Sequence, residues 1–154
     1  MNEIGIKSMA PNKEFIDEVW EKVEGKKCLW SELEGSSYEA FFATCMSSQI
    51  LIDLGFGMGR IDNLIPGHSC RVHAVFWSAE VLKDVDKIVF ALLQIIHAFE
   101  LMRVECVVPS SSKSLKRLLE QIGFKLEGTM GNWYKGLEGF FDGDLYAIVV
   151  PKRG

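Results

Sequence analysis

The chain has no dense basic block, no Cys-x-x-Cys pair and no uninterrupted apolar run long enough to cross a membrane. Each absence removes a class of function. Seventeen Lys and Arg against twenty-one Asp and Glu leave a net charge of −4. An acidic chain without a basic stripe lacks the electrostatic footprint of non-specific nucleic-acid binding. One local pocket for a phosphorylated ligand stays open to it. The most apolar stretch, Val85 to Met102, is broken by Asp86, Lys87, Gln94, His97 and Glu100, too many polar groups for the middle of a span. The expectation is a soluble protein with neither nucleic acid nor membrane as partner.

Cysteine and histidine are sparse. The four cysteines, at 28, 45, 70 and 106, lack the spacing of a zinc knuckle or a redox motif. The opening residues, Met1-Asn2-Glu3-Ile4-Gly5, have neither the cationic nor the apolar segment of a secretory signal. The thiols are therefore expected to be buried or half-buried, and the location cytoplasmic, where thiols stay reduced. The three histidines, 68, 73 and 97, show no metal-ligand spacing, so no metal is expected. Internal repeats, low-complexity tracts and linkers are absent too. What is there is a composition of 48% hydrophobic and 25% charged residues over 154 positions, which is that of one globular domain, residues 1–154.

Periodicity divides the chain into elements. Residues 12–24 read as a first helix, with Asn12 as its N-cap and Phe15, Ile16, Val19, Trp20 and Val23 on one face. Ser36-Ser37 caps a second short helix that turns Ala40, Phe41 and Phe42 inward. Residues 49–54 are apolar and β-branched, and read as a strand. Gly55, Gly57 and Gly59 then form a Gly-x-Gly-x-Gly run. The segment after it, 60–67, looks like another strand and a turn rather than a helix, so a glycine-rich hairpin is preferred to a phosphate loop.

Residues 70–77 make a strong strand. A long helix over about 84–102 follows, with Val85, Ile88, Val89, Leu92, Leu93, Ile96 and Phe99 at the 3.6-residue period. Residues 103–108 are the next strand, halted by Pro109. Ser110-Ser111-Ser112 offers N-caps for a last helix that buries Leu115, Leu118, Leu119 and Ile122, turns Lys116 to solvent and stops at Gly123. Strand-like segments at 124–129 and 144–150 flank an aromatic, glycine-rich stretch, 131–143. From residue 70 the order is β-α-β-α-β-β, an α/β domain with a mixed central sheet.

The block from Arg103-Val-Glu-Cys-Val-Val-Pro through the serine turn to Ile122-Gly-Phe124 resembles the GCN5-related N-acetyltransferase (GNAT) superfamily. The continuation, Lys125-Leu-Glu-Gly to Tyr134-Lys135 and Asp142-Gly-Asp-Leu-Tyr146, is similar to its ribosomal-protein acetyltransferase branch. The resemblance covers residues 70–150. It implies the GNAT fold and acetyl-CoA-dependent transfer of an acetyl group to an amine on a small molecule, a peptide N-terminus or a lysine. It also implies a sheet that splays between its fourth and fifth strands, here 71–77 and 103–108. The pantetheine arm of acetyl-CoA would enter there, beside Phe76 and Trp77. The pyrophosphate would rest on the loop and first turn of the long helix, Val85, Asp86, Lys87, Ile88 and Val89.

The sequence departs from the family at that first turn, where the pattern Q/R-x-x-G-x-G/A is met by Val85, Lys87 and Val89 near the glycine positions. Lys87 is a compensating charge, opposed by Asp84 and Asp86. Ser111 replaces the turn's asparagine, and Leu119 stands where a tyrosine often serves as general acid.

The implied reaction needs a base for the ammonium and a proton for the departing thiolate. His73 in the fourth strand is the candidate base, against the alternative of an ordinary half-buried histidine. Glu105 is placed to orient an amine or a water, or else is a solvent-facing carboxylate. Tyr134 is a candidate acid, or packs with Trp133 and Phe140. Cys70 and His73, three apart in one strand, point to opposite faces and form no dyad. Two readings stand: an N-acetyltransferase, monomeric or homodimeric, and a GNAT-fold binding or structural module that no longer holds CoA.

Overall fold

The structure, a computed structural model, describes residues 6–24, 37–136 and 139–151. Cys28 lies outside them. Asn12 does cap the first helix, α1 (Lys13–Val23): its side chain accepts from Phe15 N at 2.9 Å. Ser37 likewise caps α2 (Tyr38–Ser47) through Ala40 N. Between and after these run the strands β1 (Lys7–Met9), β2 (Ile50–Asp53), β3 (Gly57–Ile65) and β4 (Ser69–Phe76). Helix α3 (Val85–Phe99), strand β5 (Arg103–Pro109), helix α4 (Lys113–Ile122) and strands β6 (Lys125–Gly136) and β7 (Gly139–Val149) complete the chain. One sheet takes all seven strands in the order β1-β2-β3-β4-β5-β7-β6. Among the described strands only β4 and β5 run parallel, joined through α3.

The Gly-x-Gly-x-Gly run is a hairpin, as the sequence indicated. Gly55 turns the chain at φ +84°, and Gly57 lies so close to β4 that a Cβ there would stand 2.6 Å from both Phe76 Cδ1 and Val75 O. The sheet separates two apolar clusters. α3 and α4 pack on one face, over Ile52, Ile61, Val104, Cys106, Val108 and Tyr146. α1 and α2 cover Leu51, Met58 and Val75 on the other.

The elements differ from the sequence reading at β1, which it did not include, and in four further places. α3 ends at Phe99, because Glu100 adopts φ +52° and the amide of Leu101 returns to Ile96 O at 2.9 Å, turning Leu101 into the core. Within α3 the buried stripe runs through Ala91, Leu92 and Ile95, while Leu93 is exposed. The stretch 131–143 is mostly strand: β6 and β7 run on as a long hairpin whose register shifts, between Leu126 and Gly128 and between Met130 and Tyr134, absorb the irregular residues. Lys116 is not a free solvent-facing charge. Its Nζ donates to Ser110 O at 2.9 Å and pairs with the buried Asp144 at 3.0 Å.

Candidate active site at the strand splay

Strands β4 and β5 pair at Ser69–Arg103, Cys70–Val104 and Arg71–Glu105, and no further. β4 continues to Phe76 and β5 to Pro109, so the two diverge beyond that last rung. Strand geometry then says which backbone groups face the gap. Trp77 N bonds Phe56 O at 3.0 Å, so odd-numbered β4 residues exchange hydrogen bonds with β3. The even-numbered Ala74 and Phe76 therefore turn their N–H and C=O toward β5. By the same reasoning, Val150 N on Met102 O and Ser110 N on Asp142 O assign even-numbered β5 residues to β7. Val107 accordingly points its amide and carbonyl into the splay.

On the α3/α4 side, an apolar cavity of about 80 Å³ opens along this gap, lined by Phe76, Ile88, Leu92, Cys106, Val108 and Leu119 among others. Leu119 is thus wall rather than acid. At the wide end stands the first turn of α3, whose leading amides are partly paired. Lys87 N bonds Asp84 O at 3.1 Å and Asp84 N bonds Glu80 O at 3.0 Å, while helix geometry gives those of Val85 and Asp86 no acceptor within α3. Asp84, in the cap position, makes no side-chain cap bond. The valine at 85 and the isoleucine at 88 pack against the core beneath. Val89 is half-buried, Asp86 is exposed, and Ser111 is exposed in the turn that leads into α4. Lys87 folds back, its Nζ 5.2 Å from the Phe56 ring centroid. The Trp77 amide is committed to β3, and its ring lies 4.8 Å from Lys22 Nζ.

Cross-strand partners share a face, so the register assembles a polar group opposite α3. Arg60 pairs with His73 and Asp62 with Arg71 across β3 and β4, and Arg71 with Glu105 across β4 and β5. His73 is therefore the first residue of this face past the last rung. Its Nε2 lies 3.0 Å from Asp62 Oδ2, and its Nδ1 is buried. Cys70 points to the opposite face, in the α3/α4 core. Arg60, 4% exposed, reaches the same Asp62 oxygen at 3.4 Å and Ser48 Oγ at 3.1 Å. Burial pushes the Asp62 carboxyl up, but the His73 hydrogen bond and the Arg60 charge outweigh it and hold it below its ordinary value.

Glu105 is held from both sides, by Arg71 at 2.9 Å and by Arg103 at 2.7 Å. These guanidiniums overcome its desolvation and keep it ionised. Arg103 also grips Glu127 with two parallel bonds, at 2.9 and 2.6 Å. Tyr134 comes from β6 across β7. Its ring stacks on Phe141 at 5.1 Å, and its hydroxyl donates to Val107 O at 2.9 Å, which places it on the lip of the splay.

The structure therefore brings His73, Glu105 and Tyr134 to one face around one gap. Asp62 and Arg60 were missed in the sequence. Only the β3–β4 register shows that they stand beside His73. Among the described residues no cluster of His, Cys, Asp or Glu is arranged to hold a metal ion, and no helix is long and apolar enough to cross a membrane.

No protein-family model and no curated protein sequence matches the chain. Solved structures match its fold. An acetyltransferase of the GNAT family from Bacillus anthracis is similar over 94% of each chain, at 13% identity and a TM-score of 0.71. An acetyltransferase from Salmonella typhimurium that modifies the N-terminal serine of a ribosomal subunit protein is similar over 95% of each chain, at 13% identity and 0.73. A chimeric spermidine N-acetyltransferase, from Vibrio cholerae and a human enzyme, is similar over 94% of this chain and 95% of that one, at 13% identity and 0.71.

Proposed function

We propose, from the GNAT acetyltransferase fold of the chain and the groups around the splay, that the protein is an acyl-CoA-dependent N-acyltransferase, moving an acetyl group from acetyl-CoA to a primary amine. The observation that carries this reading is the gap itself. β4 and β5 part after Glu105, the backbone groups of Ala74, Phe76 and Val107 face the opening, and His73 stands at its first open position. Where the strands part, the room between them and the backbone edges of β4 and β5 suit an extended amide-bearing arm such as pantetheine, which can exchange hydrogen bonds with a strand edge.

The first turn of α3, Val85 to Val89, would meet the pyrophosphate with its amides and dipole. Lys87 would leave the Phe56 face to add its charge. Phe76 and Trp77 close the β4 side, and Ser111 lies in the turn at the start of α4.

The bound thioester supplies an electrophilic carbonyl and a leaving thiolate. The protein supplies proton handling. His73 takes the proton of the attacking amine once its ring turns Nδ1, buried in the resting structure, toward the gap, and the charge it gains is met by Asp62, held at Nε2 and fixed by Arg60. Tyr134, on the opposite lip, protonates the departing sulfur when its bond to Val107 O gives way. Glu105, locked between two arginines, fixes the floor of the site and orients the amine. The reading carries a cytoplasmic location, where acetyl-CoA is available, and is compatible with a monomer or a homodimer.

One observation favours the second reading, a binding or structural module: Asp84 and Asp86 flank a first turn without glycine, where anionic phosphates would have to approach. An assay of thiol release from acetyl-CoA with simple primary amines separates the two. Turnover is expected, and His73→Gln should lower kcat/KM at least 100-fold while circular dichroism stays unchanged. A folded parent protein that releases no thiol and shows no affinity for acetyl-CoA would leave the module.

A further inference from the structure

The acceptor has to approach from the face that carries His73, and that face continues onto the β6–β7 hairpin. Trp133 and Phe141 stand there 44% and 42% exposed. Trp133 is not a loose surface ring. A Cβ at Gly143 would lie 3.0 Å from its Cδ1, so the glycine forms a notch in which the indole rests, and the Arg71 guanidinium sits 5.4 Å from the ring. Arg71 is two residues before His73 on the same face, about 6.6 Å along the strand. The indole is therefore fixed in place, half-uncovered, one side chain away from the reacting centre. Tyr134 and Phe141 extend the same aromatic surface to the lip of the splay.

Charge offers the acceptor much less. Among the described residues, the carboxylates Asp62, Glu105 and Glu127 on this face are all engaged: Asp62 by Arg60 and His73, Glu105 by Arg71 and Arg103, Glu127 by both ends of the Arg103 fork. A polycation finds no uncommitted acidic group among them. The attraction that the described residues of this face offer is that of an exposed, pre-oriented π surface.

We propose that Trp133 is the specificity-determining residue for the acceptor, and that the acceptor is a primary amine carrying an aromatic ring rather than a polyamine or a plain alkylamine. The ring lies against the indole, and the ammonium, a few bonds away, reaches His73. This inference rests on the acyl-transfer reading, and its test is a binding measurement so that the two fail separately.

The test is calorimetric titration of the full-length protein, with millimolar desulfo-CoA present, using 2-phenylethylamine, n-butylamine and spermidine as probes. The parent protein should bind 2-phenylethylamine at least tenfold more tightly than the other two, a difference of about 1.4 kcal/mol. Trp133→Ala should bring the three within twofold of one another, and Trp133→Phe should restore most of the preference. Phe141→Ala, which removes only the outer part of the platform, should weaken the aromatic probe by about threefold and keeps the test decisive if Trp133→Ala does not fold. Equal affinities in the parent, no binding of 2-phenylethylamine, or a preference that survives Trp133→Ala overturns the proposal. An intact aromatic preference without thiol release from acetyl-CoA would contradict the acyl-transfer reading and leave the binding surface standing.

Discussion

Asp144 shows how a single buried carboxylate ties several elements together. It is 4% exposed on β7 and accepts from Ser110 Oγ at 2.6 Å and Thr129 Oγ1 at 2.9 Å, with Lys116 Nζ at 3.0 Å. Desolvation raises its pKa, but these bonds prevail and hold it below its ordinary value of 3.8. The unfolded chain then binds the proton more readily than the native one, so this stabilisation is complete above that value and fades as pH falls through the native value below it. Denaturant titrations should show Asp144→Asn less stable than the parent at pH 6, with the gap narrowing toward pH 3. A gap that widens in acid would contradict the assignment. The thiols behave in the opposite sense. Burial pushes Cys45 and Cys70 up to about 11, so both are unreactive thiols at neutral pH. Peptide mapping after iodoacetamide treatment at pH 7.5 should find both unmodified in the native protein and alkylated once it is unfolded. The buried thiols could be anticipated from composition. The partners of Asp144 could not, because Ser110, Lys116 and Thr129 come from the turn after β5, from α4 and from β6, and meet only in three dimensions.

Among the elements, α3 and the β6–β7 hairpin mark the limits of sequence periodicity. The period of α3 gave its length to within three residues at the C-terminus, but its apolar arc is wider than the face the sheet can cover. That is why Leu93 is exposed and Ile95 is not. Leu92→Ala and Ile95→Ala are each expected to cost about 2–5 kcal/mol in chemical denaturation, and Leu93→Ala no more than about 0.5 kcal/mol. Comparable losses at all three would mean that the buried arc is misplaced. The hairpin was half-hidden for another reason. Its glycines and Asn132, at φ +51°, read as breakers, whereas they serve the register shifts and the close packing of an edge pair. Gly143 is the clearest case. Gly143→Ala would put its methyl 2.8 Å from Val107 Cγ1 as well as against Trp133. It is expected to lower stability by about 1–3 kcal/mol and to alter the near-ultraviolet circular dichroism of the indole. An unchanged spectrum would show that Trp133 does not occupy the notch. β1 escaped notice because three residues are too few to show alternation.

At the scale of the whole molecule, one topological feature organises the rest. Because β4 and β5 are the only parallel pair among the described strands, and part after three rungs, a sheet that is otherwise continuous opens at its centre. The backbone of β4 and the polar face with His73 meet at that opening, and the side chains of α3 line the cavity on its other side. The order of elements that produces it was legible in the sequence from residue 70 onward. The Asp62–Arg60 support of His73 was not, since β3 reads as a plain hairpin strand until its register is known. The central claim is that the opening receives an acyl-CoA. Calorimetric titration with acetyl-CoA, repeated with desulfo-CoA and with Lys87→Glu, tests it most directly. The account predicts one site per chain, retained by the thiol-free analogue, weakened at least tenfold by Lys87→Glu, and stabilising the fold by about 2.7 kcal/mol at 100 times Kd. No heat and no shift in melting temperature at millimolar acetyl-CoA, from a protein whose circular dichroism is intact, would contradict it.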